Sequence, residues 1–354
     1  MSAESGAYGG WVISTVAGNG DMGFAGDGGP AFEATLNNPF DVAFDPAGNM
    51  VFTDTFNHCI RRVDARSGNI ETIAGTGQVG YSGDGGPGNA GCFNEPYGIA
   101  IDRAGAVYVA DRHNAVVRRV DSETGIVTTF AGTGSAGFSG DGGPAVDAEM
   151  VEPNGLAFSR DGKRLFIADV TDNRVRMVDL SSSMISTFAG TGEAVHDGDG
   201  SQASAAGIFG ARAVAARPED DGIYILERQG SSLRLVAPEG NIISTVASTG
   251  ETGFGGDGGP AALAVFERPK EMAVDGDGNV LIVDTENHAI RLIDWRADRL
   301  STIAGTGTHG YAGDDMAAVQ SSLARPHGVA VGPDGALYIG DTENNRIRKV
   351  SRPN

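Results

Sequence analysis

The chain has 354 residues, of which 40% are hydrophobic and 20% are charged, and its net charge is −20 at pH 7. This charge disfavours nucleic-acid binding, because a phosphate backbone would be repelled. The two cysteines are too few for a disulfide framework. No apolar stretch reaches the length of a membrane-spanning helix, and the N-terminus lacks the features of a signal peptide, so we expect a cytoplasmic protein if Met1 is the natural start.

A repeat of 57 to 58 residues organises the chain. The segment Ala-Gly-x-Gly recurs at this spacing, with a degenerate fifth copy, and the copies begin at Ala17, Ala74, Ala131, Ala189, Ala247 and Ala304. Each unit contains four short β-branched runs separated by turns rich in Gly and Asp, which predicts a four-stranded antiparallel meander. Such a sheet has exposed edges that radial repetition protects, so the sequence predicts a six-bladed β-propeller.

In chain order, we expect residues 1–10 to be flexible and residues 11–18 to form a strand without a partner in its own unit. The innermost strands of the six blades are then expected to start near residues 39, 96, 153, 211, 269 and 326. The sixth unit ends after its third strand. We therefore expect residues 11–18 to complete that blade and close the ring, so that residues 1–354 form a single domain.

The end of the second strand carries the phrase Asp-x-x-Asn-His, which resembles the NHL repeat. It is clearest at residues 54–58 and 284–288, and at 341–345 with Asn in the last place. The resemblance covers residues 11–350 and implies an all-β, six-bladed propeller of NHL type. It leaves the function open, because NHL-like propellers include a peptide-amidating lyase with a metal site and binding platforms for protein or RNA. Lactonases and strictosidine-synthase-like enzymes share the broader architecture.

The face with the long loops is expected to carry the function. In an antiparallel meander, the second-to-third loops and the crossovers to the next blade lie at the same end, and all six histidines fall there. His58 and His288 belong to the repeated phrase, which favours a role as hydrogen-bonded spacers between blades. As the alternative, we consider them ligands of a divalent metal such as zinc, iron or calcium. His113 and His327 stand at repeat positions where the neighbouring blades carry other residues, which favours a functional role.

The crossovers carry a second motif, Gly-(Phe/Tyr)-x-Gly-Asp-Gly-Gly-Pro. We expect its aspartates to cap short helices that begin near the proline, and these residues are Asp27, Asp84, Asp141 and Asp257. Alternating Asp and Gly also invites a calcium interpretation, but the ligand number and the terminal Glu of an EF-hand are missing. The motif therefore indicates structure.

A functional site in a symmetric ring should appear where the repeat is broken. The rim of the channel, around Pro-x-Gly at the start of each innermost strand, varies most. The residues before and after the proline or its equivalent are, blade by blade, Asn38 and Phe40, Glu95 and Tyr97, Glu152 and Asn154, Gly210 and Arg212, Arg268 and Lys270, and Arg325 and His327. Asp41, Ala213 and Glu271 replace the expected glycine. Crowded charges shift pKa values toward catalytic use, whereas the alternative is a structural ring of salt bridges, for instance Glu95 or Glu152 with Arg212.

From this rim we predict two sets of functional side chains. The catalytic set is His327, His113, Glu95, Glu152, Tyr97 and Glu271, and the substrate-binding set is Arg212, Asp41, Lys270, Arg268, Arg325 and Asn154. The fourth repeat departs most from the pattern, either by drift or because Arg212, Glu227 and Arg228 bind a ligand.

The function we favour is that of a small-molecule hydrolase or lyase with its active site at the channel mouth. One version of this hypothesis adds a divalent metal that assists the reaction. The alternative is a scaffold that binds a protein or peptide without catalysis. We expect a small-molecule substrate and neither a nucleic-acid nor a membrane partner. The sequence leaves the oligomeric state open.

Overall fold

The computed structural model describes residues 8–353 and consists of six antiparallel sheets arranged as a β-propeller. Residues 1–10 were expected to be flexible, and residues 1–7 of this segment lie outside the described residues. Tyr8 is buried, and its hydroxyl donates a hydrogen bond to Asp275 Oδ2 at 3.0 Å. No helix within residues 8–353 is long and apolar enough to cross a membrane.

The strands follow the predicted order of four per blade, from the channel outward. The chain opens with β1 (Val12–Ala17). The first three blades are β2 (Pro39–Phe44), β3 (Met50–Asp54), β4 (Cys59–Val63), β5 (Ile70–Ala74); β6 (Pro96–Ile101), β7 (Val107–Asp111), β8 (Val116–Val120), β9 (Val127–Ala131); and β10 (Pro153–Phe158), β11 (Arg164–Asp169), β12 (Arg174–Asp179), β13 (Met184–Ala189). The fourth and fifth blades are β14 (Ala211–Ala216), β15 (Ile223–Glu227), β16 (Ser232–Val236), β17 (Ile243–Ala247); and β18 (Glu271–Val274), β19 (Val280–Asp284), β20 (Ala289–Asp294), β21 (Arg299–Ala304). After a short extra strand, β22 (Met316–Ala317), the sixth blade consists of β23 (Gly328–Val331), β24 (Leu337–Asp341) and β25 (Arg346–Ser351), with β1 as its fourth strand.

The ring closes as the sequence predicts. β1 pairs antiparallel with β25, with Ile13 opposite Val350 and Ser14 opposite Lys349, and it forms the outer strand that the sixth unit lacks. The short strand β22 adds to the other edge of β1. The first and last segments of the chain are therefore held in one sheet.

Short 3-10 helices occupy the two kinds of long-face loop. Those in the crossovers are Ala31–Glu33, Gly88–Ala90, Ala145–Asp147, Ala203–Ala205, Ala261–Leu263 and Ala318–Gln320. Those between the second and third strands are Thr55–Asn57, Arg112–Asn114, Thr285–Asn287 and Thr342–Asn344. Asn57 Nδ2 donates to the carbonyl of Gly23 at 2.7 Å, which fastens one kind of loop to the other. The prediction that both loops share a face is confirmed.

The hydrophobic core lies between neighbouring blades. Leu281 and Ile290 of the fifth blade, for example, pack in one cluster with Ile13, Val329 and Ile339 of the sixth, and all five are nearly inaccessible to solvent. Burial of a side chain of this size contributes about 1.5–3 kcal/mol. Each blade therefore depends on its neighbours for its core.

A fully buried arginine in each third strand ties every blade to its crossover. The six are Arg61, Arg118, Arg176, Arg234, Arg291 and Arg348. In the first blade, Arg61 Nη2 lies 2.7 Å from Asp27 Oδ1 in the crossover, and Nη1 lies 3.2 Å from Asp54 Oδ2 at the end of β3. The ring of Phe24 covers the guanidinium at 5.3 Å. Because a buried charge without a partner is costly, these pairs fix the crossover on the sheet.

The expectation that the crossover aspartates cap helices is wrong. The crossover helices have three residues and no side-chain cap, and Pro30 stands at the N-cap position of the first. Asp27, Asp84, Asp141 and Asp257 instead accept from the buried arginines, at 2.6 to 2.8 Å. A guanidinium competes better for a carboxylate than a backbone amide at the end of a helix of one turn.

Candidate functional site

The predicted rim residues converge on the axis of the propeller. In four blades the pairing of the innermost strand with its neighbour shifts register just after the proline position, for example between Pro39 and Val42 of β2. Such bulges turn side chains out of the sheet. A small cavity there is lined by Phe40, Asp41, Tyr97, Gly98, Asn154, Arg212, Glu271 and His327. Its free space of about 10 Å³ corresponds to one water molecule, so a ligand would bind above it, at the mouth.

Lys270 and His327 form a buried contact between the fifth and sixth blades. Lys270 Nζ lies 2.6 Å from His327 Nε2, and His327 Nδ1 lies 2.8 Å from the carbonyl oxygen of Arg325. Since a carbonyl only accepts, Nδ1 carries the ring proton, and Nε2 accepts a hydrogen bond from the amine. The two side chains are 5% and 6% exposed.

Burial and neighbouring cations favour the neutral forms of both groups. Desolvation, with the positive charges of Arg212 and Arg325, lowers the pKa of Lys270 from 10.5 to about 6. Glu286 Oε1, 3.8 Å from the amine, opposes this shift without cancelling it. Desolvation, followed by the charge of Lys270, lowers the pKa of His327 well below 6.5. Lys270 is therefore an amine with a free lone pair near neutral pH.

An aromatic wall borders this pair. The Phe40 ring stacks on the His327 ring with centroids 4.1 Å apart, and Tyr97 packs edge-on against Phe40 at 4.4 Å. Arg212 lies over the Tyr97 ring at 4.4 Å and donates to Asn154 Oδ1. The guanidinium of Arg212, 6% exposed, is thus held at the centre of the rim.

Asp41 and Glu271 face the channel on either side of the sixth blade. The other blades carry small residues here, because neighbouring backbones approach closely: a Cβ on Gly328 would lie 2.2 Å from the carbonyl oxygen of Phe40. Desolvation raises the pKa of Asp41 to about 6. Desolvation, together with the charge of Asp41, raises the pKa of Glu271 well above 4.5. Burial therefore favours the neutral form of both carboxyls, and the charge of each further favours a proton on the other.

The predicted acids Glu95 and Glu152 do not reach Arg212. They bracket Arg112, whose Nη1 lies 2.8 Å from Glu95 Oε2 and whose Nε lies 2.5 Å from Glu152 Oε1. His113 Nε2 adds a contact of 3.1 Å to Glu95. In this part of the rim the salt-bridge alternative therefore holds, although with Arg112 instead of Arg212.

Sequence reasoning missed Arg112 and Glu286 as rim residues. Arg112 also covers Tyr97, at 4.8 Å, and Arg325 pairs with Glu286 and Glu343 at 2.7 and 2.9 Å. Arg112, Glu286 and Glu343 come from the second-to-third loops, whereas the predicted rim consisted of residues at the start of the innermost strands. The signal was present, because the first and second residues after the second-strand carboxylate, where Arg112 and Glu286 stand, also vary between blades.

The fourth blade contains two different departures from the repeat. Glu227 is fully buried, and its Oε1 pairs with Arg234 at 3.0 Å, so it takes the structural place of Asp54. His196 stands where other crossovers have an aromatic ring and bonds to Glu227. Arg228, by contrast, forms no side-chain hydrogen bond with the described residues, and its buried Nε lacks a partner.

His58 and His288 occupy the spacer position that their repetition indicates. His58 Nδ1 accepts from the amide of Glu95 at 3.2 Å, and His288 Nδ1 accepts from the amide of Arg325 at 3.1 Å, each across a blade boundary. In a neutral imidazole the remaining nitrogen is then protonated and cannot ligate a metal. Within residues 8–353, no three His, Cys, Asp or Glu side chains form a group suited to a metal ion. The described residues therefore offer no preformed metal centre at His58 and His288, and metal binding stays a prediction.

Similar sequences point to one repeat family. The sequence model of the NHL repeat matches residues 323–350. The chain is 26% identical to the chloroplastic protein SUPPRESSOR OF QUENCHING 1 of Arabidopsis thaliana, over 89% of this chain and 30% of that protein. It is also 26% identical to NHL repeat-containing protein 2 of Gallus gallus, over 88% of this chain and 46% of that protein. The chain thus spans a third to a half of the length of these curated relatives.

Solved structures share the fold. A nutrient binding protein of Bacteroides thetaiotaomicron superposes with a TM-score of 0.69 at 16% identity, covering 96% of this chain and 76% of that one. A gluconolactonase of Xanthomonas campestris gives 0.61 at 13% identity, covering 98% and 91%. Virginiamycin B lyase of Staphylococcus aureus, with quinupristin, gives 0.53 at 13% identity, covering 90% and 83%.

Proposed function

This chain is an NHL-repeat β-propeller, and from its channel mouth we propose that it is a small-molecule lyase or hydrolase in which Lys270 accepts a proton. The observation that carries this proposal is the buried Lys270–His327 contact of 2.6 Å. His327 is oriented by the carbonyl of Arg325 and in turn holds the amine, so the lone pair of Nζ is left for a substrate or a water molecule. A positioned base whose pKa lies near neutral pH is what general-base catalysis requires.

A proton donor lies at the same rim. Asp41 and Glu271 have raised pKa values while that of Lys270 is lowered, and groups whose environments shift pKa values in opposite directions form natural acid–base partners. In a lyase step, Lys270 removes a proton from a carbon next to a carbonyl group. The electron pair expels the leaving group, which takes a proton from Glu271. In hydrolysis, Lys270 takes the proton of the attacking water.

The other predicted residues support this chemistry. Arg212 would stabilise negative charge that develops on the substrate, since its guanidinium is held in a site of low solvent access. Tyr97 and Phe40 would pack against apolar parts of the substrate. Glu95, Glu152 and His113 would position Arg112 beside Tyr97, which is a positioning role.

A metal-assisted version of this function stays a separate proposal. No step of the proposed reaction passes through a metal. Stoichiometric zinc, iron or calcium in protein purified without added metal would support the metal-assisted version. Loss of activity in the presence of a chelator would show that the metal takes part in the reaction.

The propeller fold is compatible with both reaction classes, since the gluconolactonase and the lyase are built on it. The fold does not select between them, and it carries no argument for a particular substrate.

A protein-binding scaffold is the second candidate, and one observation favours it. Five crossover rings on the long-loop face are 42% to 48% exposed, namely Phe24, Tyr81, Phe138, Phe254 and Tyr311. Such a circle of half-exposed aromatic rings suits a protein partner.

Turnover by matched variants separates the two candidates. A panel of lactones, esters and β-substituted carboxylic acids would be assayed with the wild type, with Lys270→Met and with Lys163→Met, whose side chain is 78% exposed. We expect Lys270→Met to lose about 10²–10⁴-fold in kcat/KM and Lys163→Met to match the wild type. Equal turnover by Lys270→Met would reject the proposed base. No turnover of any compound, together with protein capture that is lost on replacing the crossover rings, would favour the scaffold.

A further inference from the structure

Two arginines at the junction of the fourth and fifth blades lack the carboxylates that their counterparts possess. Arg228 follows the last residue of β15, as Arg112 follows the last residue of β7. The repeat therefore gives these two arginines equivalent positions on the rim, two blades apart. Their surroundings can be compared residue by residue.

Arg112 is neutralised from both sides. The residue before the proline in its own blade is Glu95, and the equivalent residue of the following blade is Glu152, and both bind its guanidinium at 2.5 to 2.8 Å. Together these three groups carry a net charge of −1. Arg112 is thus part of a closed ion-pair network.

Arg228 has neither acid. The equivalent residue of its own blade is Gly210, and that of the following blade is Arg268. Neither arginine side chain has an ion pair or hydrogen bond within residues 8–353; Arg268 is exposed, whereas Arg228 is partly buried and its Nε has no partner. Desolvation and the positive charges of Arg212 and Arg268 lower the pKa of Arg228, and the charge of Glu286 opposes this shift without forming an ion pair with Arg228. The same three positions here carry a charge of +2.

This concentration of positive charge is unusual in a chain of net charge −20. Forty-six acidic residues are available, yet none binds Arg228 or Arg268 among the described residues. Paired arginines without protein partners favour a ligand that brings its own negative charge. We propose that Arg228 and Arg268 bind an oxyanion, a carboxylate or phosphate group, of a small molecule at the channel mouth.

The position of this pair defines how the ligand would lie. The positive charge of Arg228 also acts on Lys270, so the anion would sit within reach of the charges around the amine. The inference rests on the proposed function for the identity of this anion as substrate. Its charged end would bind Arg228 and Arg268, and the rest of the molecule would extend over Arg212 toward Lys270.

Anion-dependent thermal stability tests the site without turnover. The probes are inorganic phosphate and succinate, each titrated at constant ionic strength. Arg268→Glu rebuilds the pairing of Arg112, so we expect a higher Tm without ligand and no response to either probe. The control, Arg66→Glu, makes the same charge change in an exposed turn of the opposite face. Wild type and control should gain about 4 °C at a hundredfold excess over Kd.

The outcomes separate this site from general salt effects and from the catalytic proposal. A response to phosphate alone or to succinate alone would identify the anion. Equal shifts in wild type and Arg268→Glu, or no shift in wild type, would overturn the site. Arg228→Gln gives a second route if Arg268→Glu does not fold, and it should abolish the shift as well. If Lys270→Met keeps full turnover while the anion response depends on Arg228, the anion site stands and the proposed base falls.

Discussion

Replacing Lys270 by Met should stabilise the protein, by an amount that depends on pH. The unfolded chain holds the lysine proton up to its ordinary pKa of 10.5, whereas the folded protein releases it above about 6. Unfolding therefore takes up a proton between these values, and the contribution of Lys270 to stability rises with pH across this window. Each pH unit is worth about 1.4 kcal/mol.

The magnitude at neutral pH follows from the same shift. At pH 7 the side chain is about 3.5 units below its unfolded pKa, which costs folding about 5 kcal/mol. Met removes this cost but leaves His327 Nε2 without its donor, which costs about 1–3 kcal/mol. We expect Lys270→Met to be more stable by roughly 2–4 kcal/mol at pH 7, and this advantage should shrink by about 1.4 kcal/mol per pH unit and vanish near pH 9.

Urea unfolding of both proteins from pH 6.5 to 8.5 measures this slope. Lys163→Met is the matched control, because its amine is mostly exposed, and its stability difference from wild type should not change with pH. A constant difference for Lys270→Met would refute the reasoning. It would mean that the amine keeps its proton, held by Glu286.

Three further predictions concern the buried charges, the closure and the rim. Arg118→Leu leaves the charge of Asp111 without a cation and should cost about 3–5 kcal/mol in urea unfolding, part of which the double variant with Asp111→Asn should recover, because Asn removes the charge and keeps an oxygen that can accept from Asn94 or Asn114. Ile13→Ala should cost about 2–5 kcal/mol, because this fully buried side chain of the closing strand leaves a cavity, whereas Thr15→Ala on the same strand should change stability little. In the pH profile of kcat/KM, activity should rise through about pH 6 as the buried lysine loses its proton, and Glu271→Gln should lower it at every pH because the proton donor is lost.

Each of these predictions has an outcome that contradicts it. A loss below about 1 kcal/mol for Arg118→Leu would show that the buried pair contributes no more than an exposed one. A similar result for Ile13→Ala would mean that the closing strand does not support the ring. Unchanged activity of Glu271→Gln would remove Glu271 from the reaction.

The sequence predicted the architecture because the repeat determines it. The spacing of 57 to 58 residues defined six blades, and the orphan segment around Ile13 required pairing with the last unit. The convergence of residues at the rim was predictable in the same way. Lys270 and His327 are separated by one repeat of 57 residues, and they meet between adjacent blades. Equivalent positions in a propeller approach one another at the axis.

The pairing of charges was not predictable from the same columns. The partners of Arg61 are 34 and 7 residues away, one in the crossover and one at the end of β3, so nothing in the sequence next to Arg61 indicates that its charge is buried and paired. The local motif around Asp27 favours a helix cap. The motif does not show that the guanidinium of Arg61 competes for the same carboxylate. Likewise, Glu95 and Glu152 bind Arg112 because its loop projects toward the rim, which only the folded structure reveals.

The most direct test of the account is the titration of Lys270 itself, followed by heteronuclear NMR of its side-chain nitrogen and assigned by its loss in Lys270→Met. We predict a midpoint near pH 6 in the free protein, because burial and the surrounding cations favour the neutral amine. Saturating phosphate or succinate, whichever binds, should move this midpoint upward, since a nearby anion stabilises the charged form. A midpoint above pH 9 in the free protein would contradict the account.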